Sequence, residues 1–157
     1  MEGAMDNPNP KSTAKLLGHP IHPMLVPFPI AFFIGAFLAD LAYLKTGDGF
    51  WATAALWLLG AGLLGAALAA VAGLIDFAGD RRIRSLGAAW VHMLGNVTVV
   101  VIELINLGLR LNDPAAALPS PGAYLSGAAF VLLGLTGWMG GELVFRHRVG
   151  MAGVDSA

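Results

Sequence analysis

The chain has no cysteine among its 157 residues. That excludes disulfides, thiolate metal sites, self-contained iron–sulfur clusters and covalent c-type haem attachment. Any metal or haem must be held by His, Met, Tyr or carboxylate side chains. Charge is nearly as scarce. Asp, Glu, Lys and Arg make up 12% of the residues and the net charge is −1, so no basic face exists to neutralise a run of phosphates, and nucleic acid is excluded as a partner. No HExxH motif occurs, which leaves hydrolytic zinc chemistry without a ligand-plus-base pattern. The opening MEGAMDNPNPKSTAK is polar, carries two acids and lacks both an apolar core and a small-residue cleavage site. It reads as a disordered lead rather than a signal peptide.

Apolar residues are what the chain has in excess: 57% of the sequence is hydrophobic, with a mean hydropathy of +0.72. This exceeds what a soluble domain of this size carries and points to a bilayer. Four stretches are each long enough to cross about 30 Å of hydrocarbon as helix. They run near Pro27 to Leu44, Phe50 to Ile75, Leu86 to Leu111 and Pro121 to Phe145, separated by Gly-, Pro- and Asp-bearing breaks. The expected fold is an all-α, integral membrane four-helix bundle. A disordered cytoplasmic lead (1–18) precedes the four-helix domain (19–151), and a short cytoplasmic tail (152–157) follows. Seven basic residues (Lys11, Lys15, Arg81, Arg82, Arg84, Arg146, Arg148) fall on one side and two (Lys45, Arg110) on the other. The positive-inside rule then places both termini in the cytoplasm. Tyr43, Trp51 and Tyr124 fall at the outer interface and Trp90 at the inner one, where amphipathic rings settle.

That topology gathers all four histidines on the cytoplasmic side. Two of them, His19 and His22, sit in GHPIHPMLVPFP, a proline-rich collar directly before the first span. Pro20 and Pro23 bias the collar toward an extended or polyproline conformation, with the two histidine backbones about 9 Å apart on one face. That spacing suits one metal ligand and one hydrogen-bonding histidine better than two ligands on one small ion. The plainer reading is that the prolines merely start the helix, with Pro27 and Pro29 in its first turn. His147, between Arg146 and Arg148, reads as a headgroup-facing residue.

His92 lies about two turns inside the third span and heads a polar stripe at helical spacing: His92, Asn96, Glu103, Asn106 and Arg110. These positions project within about 80° of one another, and lipid exposure of an imidazole and a carboxylate is costly, so the stripe faces inward. His92 and Glu103 are about 16 Å apart along the axis and belong to different layers. In the outer layer Asp40 is placed to meet Glu103, where two carboxylates can share a proton or hold a cation, or else to reach the outer interface unaided. Small residues on the second span (Gly62, Gly65, Ala69, Gly73) and the fourth (Gly127, Gly134, Gly137, Gly141) read as close-packing surfaces. Glu142 stands at the depth of the histidine layer, either to orient an imidazole or to pair with Arg146 one turn on.

The collar GHPIHPMLVPFPIAFFIGAFLADL, the third-span HMLGN and the ending GWMGGELVFRHRVGM together resemble a bacterial membrane family known as domain of unknown function 2231. The resemblance runs from about His19 to Met151 and implies a four-helix module of the bacterial plasma membrane. Some relatives join that module to Rieske-type or cytochrome-type domains, which implies redox work. The family assigns no catalytic residues. Two functions remain. One is an electron-transfer module holding a single b-type haem, its iron ligated by His92 and by His22 or His19. With no histidine in the outer half, it requires a redox partner protein or a quinone. The other is a structural or assembly subunit, or a small proton or ion permeation module, in which the polar stripe is interhelical glue or a relay and nothing prosthetic binds. The expected surroundings are the lipid bilayer and a second copy of the chain in a homo-oligomer, with no stand-alone enzymatic activity.

Overall fold

The computed structural model describes residues 9–151. A two-stranded hairpin, β1 (Lys15–Leu16) and β2 (His19–Pro20), leads into α1 (Ile21–Leu25) and α2 (Pro27–Thr46). Then come α3 (Gly49–Gly79), the short α4 (Arg81–Arg84), α5 (Gly87–Arg110) and α6 (Gly122–Phe145). Four helical segments, counting α1 with α2 as one, are long and apolar enough to cross a membrane. The expected all-α four-helix bundle is the observed one. Around the bundle α2 packs on α3, α3 on α5, α5 on α6 and α6 back on α2, which is the up-down-up-down ring that short connections impose.

Local chemistry explains the element ends. Gly47 adopts φ 70° and closes α2, its N–H donating to the Tyr43 carbonyl at 2.7 Å. Asp48 then caps α3, its Oδ1 accepting from the Phe50 N–H at 2.9 Å. Asp80 caps α4 in the same way through the Arg82 N–H, and the Arg82 guanidinium beside it holds its carboxyl well below the usual carboxylate range. The core is narrow and built largely of small side chains. Phe33, Ala36, Leu59, Ala66, Val99, Ala129 and Leu133 fill it, while Trp57, Leu64, Val97, Leu135 and Trp138 point outward to lipid.

The collar differs from the extended conformation expected. Only His19 and Pro20 are extended, and the chain turns helical at Ile21, so His22 and Pro23 lie in α1. Pro23 is tolerated there because the N–H it lacks, in the first helical turn, would have no intrahelical acceptor. Leu17 and Gly18, both at positive φ, form the tight turn of the hairpin that precedes it.

Residues 9–18 likewise differ from a disordered lead. Asp76, near the end of α3, accepts from the Ser12 hydroxyl at 2.9 Å and from the N–H groups of Thr13 and Ala14 at 2.6 and 2.7 Å. Asp80 accepts from the Lys11 N–H at 2.7 Å. The Asp76 carboxylate thus satisfies two backbone donors and one hydroxyl of this segment. The rest of that lead, 1–8, and the tail 152–157 lie outside the described residues. The Gly150 N–H donates to the Pro10 carbonyl at 2.9 Å, so both terminal segments meet at the same end of the bundle.

Candidate functional site

His22 and His92 meet edge-on at the collar end, their ring centroids 6.2 Å apart and their planes at 90°. They come from different elements, α1 and α5, and one is held by a third element and the other by a fourth. The His22 Nδ1–H donates to the Ala69 carbonyl on α3 at 2.8 Å, and the His92 Nδ1–H donates to the Thr136 carbonyl on α6, also at 2.8 Å. A carbonyl oxygen can only accept, so each Nδ1 must carry its hydrogen. In the neutral ring that leaves each Nε2 with a free lone pair, the tautomer a metal-ligating imidazole adopts.

The two holders share a design. Gly73 lies four residues after Ala69, and a Cβ built there would stand 2.9 Å from His22 Nδ1. Gly140 lies four residues after Thr136, and a Cβ there would stand 3.0 Å from His92 Cε1. In both helices a missing side chain at i+4 opens the carbonyl at i to an imidazole from outside. Asn96 completes the layer: its Nδ2 donates to the His92 carbonyl at 2.7 Å, and its Oδ1 accepts from the Thr136 hydroxyl at 3.3 Å. Its 3.4 Å approach to His92 Nδ1 is a contact between two hydrogen-bearing nitrogens rather than a bond.

His19 does not join this layer. It is exposed in the hairpin, with Nδ1 3.0 Å from the Leu17 carbonyl. Glu142 pairs with Arg146, the Nη1–H donating to Oε1 at 2.7 Å, and the Thr136 carbonyl, not Glu142, orients the His92 imidazole. Of the small residues, Gly62 and Gly65 do pack, against Phe33 and Pro29, and Gly127 meets Phe37. Gly134 and Gly137 have nothing within 4 Å and line an open groove of about 430 Å³ with Ile30, Ile34 and Phe130, away from both imidazoles. Gly140 escaped the sequence reading, although the four-residue step that marks it, Thr136 to Gly140, repeats that of Ala69 to Gly73.

A profile of the family described as predicted membrane protein (DUF2231) matches residues 18–153. The chain belongs to this family. No curated protein and no solved structure matches it. Membership, with four apolar membrane-length helices, makes the chain a multi-pass membrane protein.

The layer of the stripe at the end opposite the collar is also assembled, with a different pairing from the one expected. Asp40 does not reach the interface; it shares a buried layer with Glu103 but is bonded to Arg110 rather than to that carboxyl. It is fully buried and takes both ends of the Arg110 guanidinium, Nη1–H to Oδ1 at 2.5 Å and Nη2–H to Oδ2 at 2.8 Å. Arg110, counted by sequence as an outer basic residue, lies wholly inside as the last residue of α5. Its planar fork matches a carboxylate, and at this depth an unpaired Asp40 would be far costlier than the pair.

Proposed function

We propose that the protein is a membrane-embedded electron-transfer module that holds one b-type haem between His22 and His92. The observation that carries this reading is the adjacent pair of anchored imidazoles from two separate elements. A metal–nitrogen bond of about 2 Å and about 1 Å from nitrogen to ring centre, counted on both sides, give about 6 Å between two imidazoles on one metal. The rings here are 6.2 Å apart. The separation and the neutral-imidazole donor set are compatible with one shared metal; His22 and His92 would hold the iron, which when bound would supply one-electron chemistry. What the chain itself contributes is preorganisation. Each Nδ1–H···O=C bond fixes ring orientation and tautomer and makes the other nitrogen more basic, while Gly73 and Gly140 allow both imidazoles to approach their helices.

All four histidines of the chain lie toward one end, so a second bis-histidine haem has no ligands in the other half. Electrons that cross the bilayer then need a quinone or a redox protein. The basic residues that flank this end support a bacterial plasma-membrane orientation with both termini in the cytoplasm. His19, exposed in the hairpin, is assigned no ligand role.

Protein purified from its native membrane is expected to show a Soret band and sharp b-type bands on reduction. His92→Ala and His22→Ala should each abolish them without preventing insertion, whereas His19→Ala and His147→Ala should leave them unchanged. A colourless preparation from haem-replete cells would overturn the proposal in favour of a structural or assembly subunit. The buried bonds that Arg110 makes to Asp40 on α2 and to Ser126 on α6 favour that second reading.

A further inference from the structure

At the end of the bundle opposite the collar, five side chains from three helices close a network shielded from both lipid and water. Asp40 on α2, Glu103, Asn106 and Arg110 on α5, and Ser126 on α6 are each at most 1% exposed. Arg110 uses four of its five N–H groups here. Besides Asp40 it donates through Nε to Asn106 Oδ1 at 2.9 Å and through Nη2 to the Ser126 hydroxyl at 3.1 Å. Asn106 Nδ2 donates to Glu103 Oε2 and to the Ser126 hydroxyl, both at 2.9 Å. Glu103 Oε1 is left over. Among the described residues it is the one buried side-chain nitrogen or oxygen with no hydrogen-bond partner.

Charge counting gives that oxygen a role. The network holds one guanidinium and two carboxyl groups, and the geometry commits the guanidinium to Asp40. An ionised Glu103 would leave a net charge of about −1 in a site without a counter-ion, the arrangement a low-dielectric interior tolerates least. A protonated Glu103 leaves the network neutral. Because Oε2 already accepts from Asn106, the hydrogen belongs on Oε1, the atom with no other partner.

We infer that Glu103 is a proton-binding site, carrying an exchangeable proton on Oε1 in the resting protein. On release the O–H bond breaks, the electron pair stays on Oε1, and the proton ends in bulk water. The network charge then goes from zero to −1. The groups facing the site are Asp40 from α2, Arg110 and Asn106 from α5 and Ser126 from α6. This inference stands apart from the histidine pair and from any haem, and each can fail without the other.

The chain has three glutamates, Glu2, Glu103 and Glu142. In the double variant Glu2→Gln, Glu142→Gln, therefore, Glu103 is the sole glutamate. Infrared spectra of this full-length variant, ¹³C-labelled at glutamate carboxyls and held in lipid nanodiscs, should show a protonated-carboxyl C=O band at neutral pH. The band should shift in D₂O, disappear with release of one proton per chain as the pH is raised, and be absent once Glu103→Gln is added. If the double variant fails to insert, the same labelling of the unsubstituted chain and of the single variant Glu103→Gln gives the readout as the difference between their spectra. Three results would overturn the inference. One is a glutamate ionised at neutral pH; another is a band unmoved by prolonged D₂O exchange. The third is a band that appears only when sodium and potassium are removed, which would make a small monovalent cation the ligand instead.

Discussion

The carbonyl of residue i in an α-helix points along the axis toward residue i+4, whose Cβ stands beside it. Ala69 with Gly73, and Thr136 with Gly140, remove that obstacle at the two positions where an imidazole arrives. Gly140→Ala should therefore push His92 away from the Thr136 carbonyl, because the new Cβ would lie 3.0 Å from Cε1 and 3.3 Å from Nδ1. The expected loss is about 1 kcal/mol for the broken hydrogen bond, seen as a lower Tm in detergent and as loss of the His92 Nδ1–H signal by NMR. Gly134→Ala and Gly137→Ala, where a Cβ meets nothing within 4 Å, should be nearly silent. Equal effects at all three sites would show that helix propensity, not the imidazole, governs them.

Elements in this bundle are joined at two depths by different means. Toward the collar the joints are imidazole-to-carbonyl bonds, α1 to α3 and α5 to α6. At the far end the joint between α2 and α5 is the Asp40–Arg110 ion pair. Breaking a buried pair from one side leaves the other charge uncompensated, so Arg110→Leu should destabilise the bundle by about 3–5 kcal/mol. Asp40→Leu should cost a comparable amount, and the double variant should recover most of the loss, because an apolar pair leaves no stranded charge. Unfolding in mixed micelles measures all three. Simple addition of the two single effects would mean that the residues do not act as a pair. The stripe on α5 was legible as an inward face because helical periodicity is local. The partner of each residue was not, since Asp40 and Arg110 are 70 positions apart and only the docking of α2 against α5 joins them.

At the scale of the molecule, the terminal segments meet at the collar end, and the connections after α2 and α5 turn at the other. The seven-to-two distribution of basic residues predicts which end faces the cytoplasm. A chain without cysteine makes the test clean. Asp48→Cys and Ala115→Cys should react with an impermeant thiol reagent in intact cells, and Ser85→Cys only after permeabilisation. The reverse pattern would invert the orientation and place the histidine layer on the outer side. Arg110 weakens neither outcome, since it is buried in its ion pair and contributes no surface charge.

What the sequence determined by itself is what depends on neighbours along the chain. Length and hydropathy decide that there are four spans. Spacing of 3.6 residues per turn decides which face of α5 is polar, and Gly47, Asp48 and Asp80 mark where helices stop and start. The family follows from motifs read in order. Only the tertiary structure decided that His22 rather than His19 meets His92, because the hairpin and the turn into α1 send one imidazole outward and the other onto α3. Only it decided that Asp40 belongs to Arg110 and that Glu103 keeps an oxygen without a partner. Each of these depends on which side chains share one low-dielectric volume. Within it, donors and charges must be matched across helices that the sequence holds far apart.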